Sequence, residues 1–386
     1  MRICHVSPHL PPDQAANALL PAELGEWARA RGHDVAFVAQ EPTQGRAASA
    51  PLAGPVTRVP ARGQRSALAR VLKIDTWRRA RVIREALDRT AARADLLHLH
   101  SNGLIIEVAS AWAARRNIPT VLTLYGTEIW HYRRRWIDPF TRAYRAARHV
   151  TFYSARLLDK ARALGLDRPN VSVVYPAVRH VFMDVDRATR ADWRMDLGIA
   201  ESRVILNVKR LHELAGQKYL LDAFAQVVRS YGDVRLVICG TGPLRQPLED
   251  QARALGLTDK ITFAGLVPNE KVARYAGVAD VFALPSLLEA LPTVAVESLA
   301  AGTPVVSADH PGGVELHDIF GDDVRVVPKE NVDDLARALT SAIVTPQRTR
   351  PATAESIRNY FSPAAVEAKY FGVYEQVFQG GPHAQR

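Results

Sequence analysis

The sequence predicts an α/β protein built from two doubly wound, Rossmann-like domains facing a central cleft. Three observations carry that prediction. Short apolar, β-branched runs alternate with helical stretches along nearly all of the 386 residues, which is the rhythm of parallel strands covered on both faces. The rhythm breaks at a polar, charged stretch around Asp184 to Asp196 and then starts again, so the pattern is laid down twice. The length also suits two domains, each able to bury a core of its own.

The first half offers the strands RICHVSP, DVAFVAQ, LLHLHS, TVLTLYG, HVTFYSA and VSVVYP. The second offers VILNVKRL, RLVICGTG, KITFAGL, DVFALP, TPVVSAD and VRVVP. The expected domains are 1–178 and 179–359, with a hinge near Ala177 to Asp184. A helical tail over 360–386, following the break TPQRTRP, is expected to pack back on the first domain. In this architecture ligands bind beyond the carboxyl ends of the strands, so function is sought in the cleft.

A composition of 47% hydrophobic and 23% charged residues is that of a globular protein. Cys4 and Cys239 lie far apart inside apolar runs, which predicts two reduced, buried thiols rather than a disulfide framework. The proline-rich start SPHLPPDQ lacks the apolar core of a secretory signal, and no segment reaches the apolar length of a bilayer span. The expected location is the cytoplasm, with peripheral contact at the inner membrane face left open. A formal charge of +10 suits an anionic partner such as a nucleotide, a lipid headgroup or nucleic acid. It suits equally well a set of solvated helix faces.

Two motifs face the cleft in this reading. In VICGTGPL, Gly240 and Gly242 follow a strand directly, where they allow close approach to a ligand or simply a tight turn. The third glycine of a dinucleotide fingerprint is missing. The stretch SLLEALPTVAVESLAAGTPVV says more. Pro292 and Thr293 start a helix that Gly302 ends, which puts Glu289 in the preceding loop and Glu297 more than one turn into the helix. Free amides around that helix start, at Leu291, Thr293 and Val294, suit a phosphate. An anion held there has a carboxylate on each side, each able to accept hydrogen bonds from hydroxyls. A phosphate between two polyols is a nucleotide sugar. For the bare spacing alone, an exposed loop glutamate and a solvated helix glutamate are the plainer reading.

The stretch PSLLEALPTVAVESLAAGTPVVSADHPGGVEL resembles the E-x7-E signature of the family 4 glycosyltransferases, which have the two-domain GT-B fold and transfer sugars with retention. RGHDVAFV, DLLHLHS, VLTLYGTEI, LNVKRL, GTGPL and FAGLVPNEKVARYAGVADVFALPS follow in the family's order and spacing. The resemblance implies that Glu289 contacts the transferred sugar, that Glu297 contacts the nucleotide ribose, and that Arg210 grips the diphosphate. That chemistry is sound, because a departing diphosphate gains charge and a fixed guanidinium with aimed amides stabilises it.

The chain departs from the family pattern in three places. Ala215 stands where the family has a second basic ligand, so Lys218, two past Gly216, is the expected substitute, with Lys209 next in line. The first loop, PPDQAANALLP, has Ala15, Ala16 and Asn17 in place of a glycine pair. Tyr125 replaces a histidine after the fourth strand, and a phenol hydrogen-bonds but does not titrate near neutrality. Asn17, Tyr125, Glu128, His131 and His100 are the acceptor-side candidates, although a lone histidine or glutamate is more often structural.

His98 and His100 alternate on one strand face without a third metal ligand at any recognisable spacing. No D-x-D is suited to a divalent ion at a diphosphate, so no metal and no separate cofactor are expected. The arginine-rich, aromatic stretch from Trp130 suits an anionic membrane, nucleic acid or plain solvent. The expected activity is retaining transfer of a hexose, of glucose or N-acetylglucosamine type, from a uridine-linked donor to a hydroxyl of a saccharide, lipid-linked saccharide or small metabolite. A nucleotide-sugar epimerase of the same fold is the rival enzyme. A basic nucleic-acid-binding protein is the rival of another class, and it leaves Glu289 and Glu297 unexplained.

Overall fold

The computed structural model describes residues 1–13, 16–42, 51–61, 74–133, 136, 138–183, 185, 190–199 and 202–379. Ala15, Asp184, Arg134, Arg135 and the tail beyond 379, which figure in the expectations above, lie outside the described residues. The chain divides into two compact units. One is Met1–Tyr175 with the chain from Glu367 onward, and the other is Pro176–Val366.

In the first unit the strands are β1 (Arg2–Ser7), β2 (Asp34–Gln40), β3 (Val56–Val59), β4 (Leu96–His100), β5 (Thr120–Leu124), β6 (His149–Phe152) and β7 (Val171–Val173). They pair in parallel in the order β3-β2-β1-β4-β5-β6-β7. Six of the seven are the expected runs. The exception, β3, is a four-residue edge strand, VTRV, too short to show a period. Strands β4 and β5 are buried along their whole length, as parallel strands covered on both faces must be. The register sets His5 opposite His98 and His100 opposite Thr123. The helix Pro363–Gln379 brings Phe371, Tyr374 and Val377 into one core cluster with Ile3, Phe37, Leu96 and Val121.

The second unit holds β8 (Arg203–Val208), β9 (Val234–Cys239), β10 (Ile261–Gly265), β11 (Val281–Leu284), β12 (Val305–Ala308) and β13 (Val324–Val327). All six are expected runs, and they pair in parallel in the order β10-β9-β8-β11-β12-β13. The amphipathic helices Gln217–Ser230 and Val332–Val344 pack together over a core of Ile205, Phe224, Leu236 and Leu339. The TPQRTRP break is anchored rather than loose. Arg348 donates to the carbonyls of Gly277, Ala279 and Gly302 and to Thr303 Oγ1.

Strand order reverses between β8 and β11. The chain leaves β8 toward β9 and β10 on one side and returns to β11 on the other. Beyond these two carboxyl ends the chain continues to opposite sides of the sheet, and open α/β sheets bind ligands at such a switch point.

Candidate active site

In the second unit, Lys209 and Arg210 follow β8, and the loop from Pro285 to Leu291 follows β11. Backbone contacts lock the two loops together. Leu287 N donates to Leu214 O at 2.8 Å, and Gly216 packs so closely that a Cβ there would run into the Pro285 carbonyl. Gly216 also has φ 68°, a left-handed conformation that glycine adopts without strain. On the far side of the loop, Gly312 N donates to Glu289 O at 3.1 Å. The Glu289 backbone is therefore held from both sides.

The Glu289 carboxylate forms an ion pair with the Lys209 ammonium, both side chains being four-fifths or more buried. His310 lies beneath, fully buried, and its Nδ1 accepts from Gly313 N at 3.0 Å as the cap of helix Pro311–Phe320. Burial pushes the His310 pKa down to about 4, against the opposing pull of the Glu289 charge. Burial likewise lowers His212, with the Lys209 charge adding to the effect. The resulting cluster presents one shared cation and carboxylate over a neutral histidine, with Arg210 exposed beside it.

Lys218, the substitute expected from sequence, stands apart from this cluster. Its ammonium is fully exposed, lies 4.7 Å from the centre of the Tyr219 ring, and faces the charges of Glu213 and Glu330. The reason is helical geometry. Lys218 is the second residue of Gln217–Ser230, and its side chain leaves on the solvent face while Gln217, Leu220 and Leu221 are buried. Lys209 sits at the strand end itself, and its place in NVKRL was the available signal.

Gly240 and Gly242 also have a duty other than touching a ligand. A Cβ at Gly240 would meet the Lys209 carbonyl, and one at Gly242 the Leu211 carbonyl. Lys209 N donates to Cys239 O at 2.9 Å, and Leu211 N to Thr241 O at 3.0 Å. The two glycines thus let the turn after β9 press against the loop that carries Lys209 and Arg210.

Helix Thr293–Ala300 begins after Pro292, with no side chain capping it. Leu291 is buried, and Thr293 and Val294 are half-buried at the open amides. Glu289 lies in the loop and Glu297 in the helix. Glu297 is nearly buried, and Arg179 Nη2 stands 3.4 Å from its Oε1. Nothing in the sequence joined Arg179 to this site, because the two residues are 118 positions apart.

In the first unit, Tyr125 follows β5, and its hydroxyl meets His100 Nδ1 at 2.8 Å. His100 Nε2 is 3.0 Å from His5 Nδ1, so one of these nitrogens carries the proton that the other accepts. His98 bonds Tyr374 Oη through Nδ1 and Thr123 Oγ1 through Nε2, each at 2.7 Å. A third histidine, distant in sequence, joins His98 and His100. His5 on β1 brings the three residues' nitrogens within 4.8 Å of one another. Both nitrogens of His98 and of His100 are nonetheless used by protein partners, so the lone pairs a metal needs are already engaged. Burial holds His5 down to about 3, and His98 and His100 well below the usual histidine range. All three are neutral at ordinary pH.

Glu128 turns back on its own backbone, its Oε2 accepting from Gly126 N at 2.8 Å and Tyr125 N at 3.2 Å. That contact fixes the turn holding Tyr125. His131 is exposed at the end of the one-turn helix Thr127–Trp130. Asn17, half-buried in helix Ala16–Ala30, receives the Ser7 hydroxyl on its backbone carbonyl at 2.8 Å.

Residues 189–360 match the family described as glycosyl transferases group 1, and residues 21–177 match the glycosyl transferase 4-like domain. The chain is similar to 2-deoxystreptamine N-acetyl-D-glucosaminyltransferase of Streptomyces fradiae, with 29% identity over 78% of this chain and 75% of that one. It is also similar to D-inositol 3-phosphate glycosyltransferase of Corynebacterium kroppenstedtii, with 34% identity over 57% of this chain and 51% of that one. The matched stretches thus span from about half to three quarters of these curated relatives. Among solved structures, HepE of Anabaena in complex with UDP superposes with a TM-score of 0.72 at 17% identity, covering 97% of this chain and 100% of that one. At that identity the likeness speaks for the fold, which is GT-B.

Proposed function

The chain belongs to the family 4-like glycosyltransferases of GT-B fold, and from that premise we propose that it moves a hexose from a uridine diphosphate sugar to an acceptor hydroxyl, with retention at the anomeric carbon. The observation that carries this reading is the Lys209–Glu289 pair at the switch point of the second sheet, with Glu297 eight positions further on. Glu289, fixed by its backbone and by Lys209, accepts hydrogen bonds from the hydroxyls of the transferred sugar. Glu297 accepts from the nucleotide ribose. The diphosphate lies between them, over the open amides of Thr293 and Val294.

As the bond to the sugar breaks, charge gathers on the leaving diphosphate. Lys209 and Arg210, carried on one loop, are preorganised to meet it. The acceptor attacks from the same face, and its proton passes to the departing phosphate oxygen, so no protein nucleophile takes part. The donor is a substrate, and neither a metal nor a cofactor is assigned a step. HepE was solved with UDP, which supports the choice of uridine. The two relatives named above act, by their names, on 2-deoxystreptamine and D-inositol 3-phosphate, which favours a polyhydroxylated cyclitol or saccharide acceptor.

The test is incubation with UDP-glucose and UDP-N-acetylglucosamine, alone and with a panel of cyclitols and saccharides. An α-linked product that needs an acceptor supports the reading. A change in the donor sugar without acceptor would make the protein an epimerase instead.

A further inference from the structure

The segment leading into the second unit is pinned at Val178, which is fully buried and whose N donates to Phe361 O at 2.7 Å. Three residues beyond Arg179, Phe182 is buried in the one-turn helix His180–Met183, which packs against helix Thr293–Ala300. Arg179 is thus held between two buried anchors, and its guanidinium reaches Glu297 Oε1 at 3.4 Å. The two ends of this pair are unequal. The Glu297 side chain is 6% exposed, and that of Arg179 is 45% exposed.

A carboxylate so nearly buried in the body of a helix must have its charge answered, or its ionised form is costly. A guanidinium does this with direction as well as charge, since its five N–H groups lie in one rigid plane. We propose that Arg179 is the positioning residue that orients the Glu297 carboxylate toward the vicinal diol of the nucleotide ribose, and so makes the site select ribonucleotides over deoxy forms. This rests on the reading of Glu297 as the ribose ligand. A carboxylate can accept from both hydroxyls of a diol only in one narrow orientation, and the Arg179 contact restricts its rotation. Without that contact the diphosphate contacts remain, while the reading of the diol is lost.

The experiment is titration calorimetry with UDP, GDP and ADP, and then with the 2′,3′-dideoxy counterpart of whichever binds best, on the parent chain and on Arg179→Ala, Arg179→Met and Arg179→Lys. The parent should prefer the ribonucleotide by about tenfold or more, the scale of hydrogen bonds to a charged group. Arg179→Ala and Arg179→Met should bring that preference below about threefold while leaving dideoxynucleotide affinity near the parent value. Arg179→Lys should restore part of it. A merely structural role would weaken both ligands equally, and that result, or an undiminished preference in both truncations, overturns the proposal. If the parent binds none of the three nucleotides, the reading of the site fails, and this proposal with it. If the parent binds and discriminates but the variants do so equally, this proposal alone fails.

Discussion

Lys209 and Lys218 are nine residues apart, and both carry an ammonium group early in the second unit, yet their surroundings are opposite. Lys209 is largely buried on Glu289, while Lys218 is fully exposed over the Tyr219 ring. Lys209→Ala should therefore lower turnover by ~10²-fold, the scale of losing one preorganised electrostatic group. Lys218→Ala should stay within about threefold, the level of a solvated charge. Steady-state rates with a UDP-sugar, beside thermal melts that confirm folding, check both. A large loss in Lys218→Ala would return the second cation to the helix.

At the scale of elements, turns that press on other backbone tolerate no side chain. Gly240, with φ 142°, faces the Lys209 carbonyl, whereas Gly256, with φ 68°, faces open space. Gly240→Ala should cost about 3 kcal/mol or more, from strain and overlap together. Gly256→Ala should cost only about 1 kcal/mol, from backbone strain alone. Denaturant melts of the two variants give the comparison, and equal costs would mean that the turn after β9 moves freely.

The helix cap at His310 adds a dependence on pH. Its folded pKa of about 4, like that of His5 at about 3, lies below the ordinary value near 6.5. Above about pH 6.5 both residues are neutral, folded or unfolded, and their contribution to stability is fully present. As pH falls further, the unfolded chain takes up protons that the folded one refuses. Stability then drops by up to ~1.4 kcal/mol per pH unit for each such histidine until the folded pKa is reached. Melting temperature should be level from pH 7 to 8 and decline toward pH 5. His310→Asn, which keeps a capping acceptor, should make that decline shallower. An unchanged slope in the variant would show that His310 does not carry its share.

For the whole molecule, the proposed chemistry relies on side-chain cations and helix amides, so transfer should survive thorough chelation. Complete loss on chelation, restored by magnesium or manganese, would point to a metal site. No helix among the described residues is long and apolar enough to cross a membrane. Trp136 is fully exposed, and Arg133 is exposed in the same basic stretch. Attachment to anionic vesicles should therefore be weak, and lost in high salt as the charge is screened. Co-sedimentation at two ionic strengths tests this, and salt-resistant binding would indicate apolar insertion instead.

The sequence by itself determined the two parallel α/β sheets, twelve of the thirteen strands among the described residues, and the placing of Glu289 in a loop and Glu297 in a helix. Each of these rests on a local period or on local turn chemistry, such as Pro292 before the helix and Gly302 after it, and such signals span only a few residues. Tertiary structure alone decided which side chains meet. It paired Lys209 with Glu289, joined Arg179 to Glu297 across 118 positions, and joined His5 to His100 across 95. It also turned Gly240 and Gly242 toward protein backbone. A contact of that kind depends on sheet register and on the path of a distant segment, and a register shift of one residue sends every side chain to the other face. No run of neighbouring residues contains that information, because it resides in the packing of segments that the chain brings together only on folding.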